Sequence, residues 1–303
     1  MRYAVIGTGA VGGYYGASLA RSGREVHFLL HSDYEYVKQN GLQINSWGGS
    51  FHLDRPLVYD DVRKMPPCDV VLVGLKTTRN HLLKELLPPL LKTDTLVLLV
   101  QNGVGVEADV QKMFPETALA AGLAFICSSK TKPGVVEHQH YGSLTIGNYS
   151  CRDAGRIDAL ITDLTNSGIE AGEVEYQTAR WRKAVWNMPF NGMTVALRCQ
   201  TDQLLAHPYT RELIRRQMME IVEATRAMNI SGVDEAFVEQ MIVTTEAMVP
   251  YSPSMRLDWD YSRPMELDYL YSRPLEMARA AGKPMHRLEM LEAELRFMES
   301  NSV

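Results

Sequence analysis

Lys183, Asn187 and Asn191 recur every fourth residue within Trp181-Arg182-Lys183-Ala184-Val185-Trp186-Asn187-Met188-Pro189-Phe190-Asn191. On a helix this spacing puts one ammonium and two carboxamides on a single face. Two readings fit. A solvated polar stripe is always common, yet Trp181, Val185, Trp186 and Phe190 leave little of such a helix free for water. Buried polar groups need partners, and a polar substrate would supply them. Farther on, Ser254-Met255 precedes Arg263-Pro264-Met265-Glu266. Pro264 at a first helical position predicts Glu266 in the first turn, where the helix dipole keeps a carboxylate ionised. Capping alone explains that residue adequately, and Tyr-Ser-Arg-Pro-x-Glu recurs from Tyr271 to Glu276.

A different chemistry is written at the start of the chain. The apolar run Tyr3-Ala4-Val5-Ile6 breaks into Gly7-Thr8-Gly9-Ala10-Val11-Gly12, and Val11 to Arg21 reads as a helix. G-x-G-x-x-G between strand and helix is the fingerprint of dinucleotide binding. Gly7 permits the tight turn, Gly9 lets backbone approach a pyrophosphate, and Gly12 lets the helix pack close on the strand. The helix N-terminus then offers N–H groups and partial positive charge to the phosphates. The end of the second strand selects the dinucleotide, by a carboxylate for NAD or a cation for NADP. Here Leu30-His31-Ser32-Asp33 follows. His31 and Ser32 suit a 2′-phosphate, which favours NADP(H), while Asp33 keeps NAD(H) open. Lys76 and Asn102 stand just past two later strands. Lys76 is a helix-capping surface lysine or a cofactor-phosphate contact. Asn102 belongs to a common Asn-Gly turn, or meets the nicotinamide or substrate.

The elements that must position these residues fall into two sets. Strands at Glu25 to Leu30, Val70 to Gly74 and Leu96 to Val100 alternate with helices at Leu82 to Leu91 and Val106 to Met113, the pattern of a mostly parallel, doubly wound sheet. Leu42 to Ile44 and Ser50 to Leu53 suggest a small hairpin insertion. Ala121 to Ile126, Val135 to His138 and Ser143 to Ile146 suggest an antiparallel extension on the sheet edge, followed by a helix at Ile157 to Leu164 and a last strand at Ile169 to Val174. Past Gln177 the spacing turns helical, with one long helix through Leu213, Ile214, Met218, Ile221, Val222 and Thr225, and others at Met241 to Met248, Met265 to Arg279 and Leu288 to Met298. We expect a nucleotide-binding α/β domain over 1–177 and an all-α domain over 178–303. In that arrangement the ligand cleft lies beyond the carboxyl ends of the strands, against the second domain.

Composition narrows the function. The 303 residues carry a net charge of -5, without the basic surplus that nucleic acid requires. No apolar run approaches a membrane span, and the start does not read as a signal peptide. Four scattered cysteines without C-x-x-C spacing suit reduced thiols of a cytoplasmic protein and give no metal site.

Together these residues resemble the ketopantoate reductase (2-dehydropantoate 2-reductase) family over nearly the whole chain. The resemblance is carried by Gly7 to Gly12, Leu75-Lys76, Gln101-Asn102-Gly103, Pro133-Gly134-Val135, Trp181-Arg182-Lys183 with Asn187 and Asn191, Ser254-Met255, and Arg263-Pro264-Met265-Glu266. It implies a Rossmann-type N-terminal domain and a C-terminal domain like that of 6-phosphogluconate dehydrogenase. It also implies NADPH-dependent reduction of ketopantoate to pantoate in pantothenate biosynthesis. Lys183 would be the general acid, Asn187 and Asn191 would hold the substrate, and Ser254 would bind its carboxylate. Glu266 would anchor the substrate hydroxyl or orient Lys183, and Asn102 would touch nicotinamide and substrate. The family commonly carries arginine at His31. Lysine suits reduction because its free pKa of about 10.4 keeps it protonated, and Glu266 would hold it so. Rival readings are a reductase of another 2-oxoacid or hydroxyacid, and a non-catalytic NADP(H) sensor. A homodimer is compatible with any of them.

Overall fold

The computed structural model describes residues 1–301, which divide into two compact units: Met1–Gln101 with Val106–Tyr176, and Asn102–Gly105 with the chain from Gln177 on. The first unit is built on one sheet of ten strands. They are β1 (Arg2–Ile6), β2 (Glu25–Leu29), β3 (Leu42–Ser46), β4 (Phe51–Leu53), β5 (Leu57–Tyr59), β6 (Val70–Val73), β7 (Leu96–Leu99), β8 (Ala118–Lys132), β9 (Val135–Asn148) and β10 (Ala171–Val174). Their order is β4-β3-β9-β8-β7-β6-β1-β2-β5, with β10 also on β9. From β5 to β8 every pairing is parallel, as buried runs such as Val70–Val73 and Leu96–Leu99 require. The helices of this unit are α1 (Ala10–Arg21), α2 (Tyr34–Asn40), α3 (Leu83–Leu86), α4 (Val106–Met113) and α5 (Ala154–Asn166). Tyr15 and Leu19 of α1 and Ile157, Leu160 and Leu164 of α5 are buried with the sheet residues Tyr3, Val5, Leu72 and Leu98.

Three expectations need correction here. The short segments after Leu119 are two long strands that form one hairpin. It lies inside the sheet, between β7 and β3, instead of at its edge. Register shifts near Phe125, Cys127 and Lys130 break the strand pattern in sequence, since each bulge breaks the two-residue alternation. The helix expected over Leu82 to Leu91 is one turn of α3 between 3₁₀ turns, because Pro88 and Pro89 lack the N–H that would extend it. The strands β3 and β4 do pair antiparallel, but β3 also joins β9.

The second unit is helical: α6 (Tyr176–Ala196), α7 (Thr201–Ala206), α8 (Pro208–Ala227), α9 (Glu235–Glu246), α10 (Ser254–Asp260), α11 (Arg273–Ala280) and α12 (His286–Ser300). Its core gathers Trp181, Val185, Met188 and Phe190 of α6 with Ile214, Met218 and Ile221 of α8 and Leu288 and Leu291 of α12. Contact is close enough that a Cβ on Gly192 would lie 2.5 Å from the Tyr271 hydroxyl and 2.6 Å from Leu291 Cδ2. Pro189 sits inside α6, where it costs one amide donor. Helix α9 starts earlier than its apolar spacing suggests, because the Asp234 carboxylate accepts the Phe237 N–H at 2.9 Å. The helix expected from Met265 begins at Leu267 and widens into a π turn over Asp268–Ser272 before α11, just ahead of Pro274.

Candidate active site

In the first unit β1 ends at Ile6 and Gly7 turns the chain at φ 85°, a left-handed conformation that suits glycine. A Cβ on Gly12 would lie 2.4 Å from the Gly7 carbonyl oxygen, so helix and turn touch backbone to backbone. Gly9 differs, since a Cβ there would meet nothing within 4 Å. Helix α1 opens on Ala10 and Val11 with no capping side chain and no acidic residue in its first turn. Open space at Gly9 beside an uncapped helix N-terminus fits the diphosphate of a dinucleotide. Thr8 steadies the turn through its hydroxyl, which donates to the Leu29 carbonyl at 2.9 Å. Lys76, half-buried, directly precedes the 3₁₀ helix Thr77–Leu82. Gln101, named from sequence only within Gln101-Asn102-Gly103 and given no role of its own, donates through Nε2 to Leu75 O at 2.8 Å and Asn80 Oδ1 at 2.6 Å, bracing that loop.

Past β2, His31 is exposed. The Ser32 hydroxyl donates to the Asp33 carboxylate at 3.0 Å. The Asp33 carboxylate is buried and also accepts the Gly134 N–H at 2.9 Å. Burial pushes its pKa up, but hydrogen bonds from Lys130 and Gly134 and the Lys130 charge hold it below the usual carboxylate range.

In the second unit Lys183 and Asn187 line one small cavity with Arg180, Gly103, Val104 and Tyr269. Residues 102–105 fold with this unit, not with the strand they follow. The Val104 N–H donates to Tyr269 O at 2.9 Å, and a Cβ on Gly103 would lie 2.5 Å from Tyr269 Cβ. Asn102, half-buried, is thereby attached to the helical unit. Arg180, one turn before Lys183 on α6, is only 2% exposed and went unnoticed in the sequence. Arginine on a helix carries no signal of burial by itself.

The lysine does not keep the free-chain pKa assumed from sequence. Burial first, and then the Arg180 charge, lower its pKa to about 7, with Glu266 only partly offsetting the two. Glu266 is buried, but it does not occupy a first helical turn. The chain from Arg263 to Glu266 is irregular, and Glu266 stands just ahead of the helix, its carbonyl accepting the Leu270 N–H at 3.2 Å. Asn191 also has partners within its own unit. Its Nδ2 donates to Asn187 O at 2.9 Å and its Oδ1 accepts the Met255 N–H at 3.1 Å. That pair of bonds fixes the start of α10, where half-buried Ser254 is the first residue.

A parallel sheet opened by a glycine turn, with a helical unit that encloses a tuned lysine, is the build of a dinucleotide-dependent oxidoreductase. Residues 3–150 match the family described as "Ketopantoate reductase PanE/ApbA", and residues 175–299 match "Ketopantoate reductase PanE/ApbA C terminal". The chain belongs to the ketopantoate reductase family. It is 41% identical to a 2-dehydropantoate 2-reductase of Nostoc sp., covering 99% of this chain and 96% of that one. The crystal structure of 2-dehydropantoate 2-reductase from Geobacter metallireducens superposes with a TM-score of 0.94 at 38% identity, covering 98% of this chain and 99% of that one. The enzyme of that name from Methylococcus capsulatus gives 0.89 at 32%, covering 99% and 97%.

Proposed function

We propose that this chain reduces 2-dehydropantoate to pantoate with NADP(H), the first unit holding the dinucleotide and the second the substrate. The observation that carries the reading is Lys183, with a pKa near neutrality, in a cavity shared with Arg180 and Asn187. In the first unit Gly7, Thr8, Gly9, Ala10, Val11 and Gly12 would hold the diphosphate, with Lys76 as a further cation.

When bound, the nicotinamide supplies a hydride to the keto carbon. As charge builds on the keto oxygen, the Lys183 ammonium stabilises it and gives up a proton, a contribution of about 10²–10⁴ in rate. A general acid works best when its pKa lies near the working pH. An anionic 2-oxoacid beside Lys183 and Arg180 raises the lysine pKa again, so substrate itself favours the charged form. Asn187 and Asn102 suit the polar groups of the substrate. Ser254 is assigned its carboxylate, with Asn191 as the positioning residue behind it. Glu266 acts on Lys183 through its charge. A cytoplasmic location and a homodimer belong to the same proposal.

The test is oxidation of NADPH and NADH by purified protein with ketopantoate beside a panel of 2-oxoacids. Ketopantoate should give the highest kcat/KM. Equal rates across the panel would overturn the substrate assignment, and no turnover with intact nucleotide binding would favour a sensor.

A further inference from the structure

The end of β2 decides which dinucleotide a fold of this kind takes, and no residue directly after that strand supplies a cation for a 2′-phosphate beyond exposed His31. A cation arrives from far along the sequence. Lys130, near the tip of the β8–β9 hairpin, brings its Nζ to 2.5 Å from Asp33 Oδ2. The same Nζ donates to the carbonyl oxygen of Thr8, inside the glycine turn, at 3.1 Å. Thr8 in turn bonds Leu29, the last residue of β2. One ammonium thus joins the glycine turn, the segment past β2 and the hairpin. We propose that Lys130 reads the 2′-phosphate of NADP(H), a specificity determinant delivered by the hairpin instead of the segment after β2.

The chemistry of the pair supports this. An ammonium has three donors. Two are directed at Asp33 and Thr8, and the side chain is 27% exposed, so a phosphate oxygen can reach the third. Asp33 alone would select against NADP(H), because a carboxylate repels a phosphate of about −1.5 to −2 charges and accepts from a bare ribose hydroxyl. Paired with Lys130, and with Gly134 N–H and Ser32 on the same carboxylate, it is neutralised and its oxygens are occupied.

The inference rests on the first unit binding a dinucleotide, and the experiment separates the two. Dissociation constants are measured by calorimetry for NADPH, NADH, 2′,5′-ADP and 5′-AMP on wild type, Lys130→Met and Asp33→Asn. Lys130→Met should weaken NADPH and 2′,5′-ADP about tenfold or more, the loss of one charge-assisted hydrogen bond, and leave NADH and 5′-AMP essentially unchanged. Asp33→Asn should move the NADPH:NADH ratio the opposite way, because the ammonium then faces no carboxylate. A brace without a binding role predicts that both variants weaken all four ligands together at a constant ratio, and that result overturns the inference. Wild type that binds NADH normally but shows a ratio unmoved by either substitution sinks the Lys130 assignment alone. Wild type that binds none of the four sinks the dinucleotide reading, and this inference with it.

Discussion

The glycine turn and the lysine cavity are made in opposite ways. The turn is six consecutive residues whose backbone does the work, and at Gly7 and Gly12 it requires the absence of a side chain. The cavity draws on Gly103 and Val104, on α6, and on Tyr269, and depends on which charges those segments bring together. A backbone site is therefore fixed by geometry and indifferent to pH. A side-chain site is tuned by neighbours and responds to pH.

Substitutions can test that contrast. The largest effect is expected for Lys183→Ala, which should lower kcat by about 10²–10⁴ while NADPH affinity, set in the other unit, stays unchanged. Steady-state kinetics beside a nucleotide titration checks both. Activity close to wild type would place proton transfer elsewhere.

Next is the pH profile. Burial and Arg180 lower the Lys183 pKa to about 7 and Glu266 raises it, so the acid form is lost as pH rises through that value. Reduction measured as kcat/KM should then fall about tenfold per pH unit on the alkaline side. Glu266→Gln removes the raising charge and should shift that limb to lower pH, whereas NADPH binding should show no such limb. A limb near the free lysine value would refute the tuning.

The smallest effect distinguishes how each unit packs. Gly12→Ala drives a Cβ against backbone and should cost about 1–3 kcal/mol of stability. Gly192→Ala meets side-chain atoms of Tyr271 and Leu291 instead of backbone, and should cost less. Urea denaturation of the two variants gives the comparison, and the reverse order would contradict it.

Much of this was legible in the sequence for physical reasons. Glycines forced by contact, buried apolar runs such as Val70–Val73 and the four-residue ladder on α6 each leave a local pattern. What stayed hidden is non-local. Bulges concealed the length of β8 and β9, and no local rule says that Lys130 meets Asp33 or that Arg180 is buried beside Lys183. Glu266 was placed one turn too deep because Pro264 was read as a helix start, although the chain is irregular there. The pKa of Lys183 depends on burial and on two charges in three dimensions, so the free-lysine value does not carry over.

A lysine poised between its two forms also has a bearing on direction. The uncharged amine can collect a proton from a hydroxyl group, so the residue that completes reduction equips the same pocket for the back-reaction on a hydroxyacid. Alkaline medium, by emptying Lys183, would tilt the balance of forward and reverse rates toward oxidation.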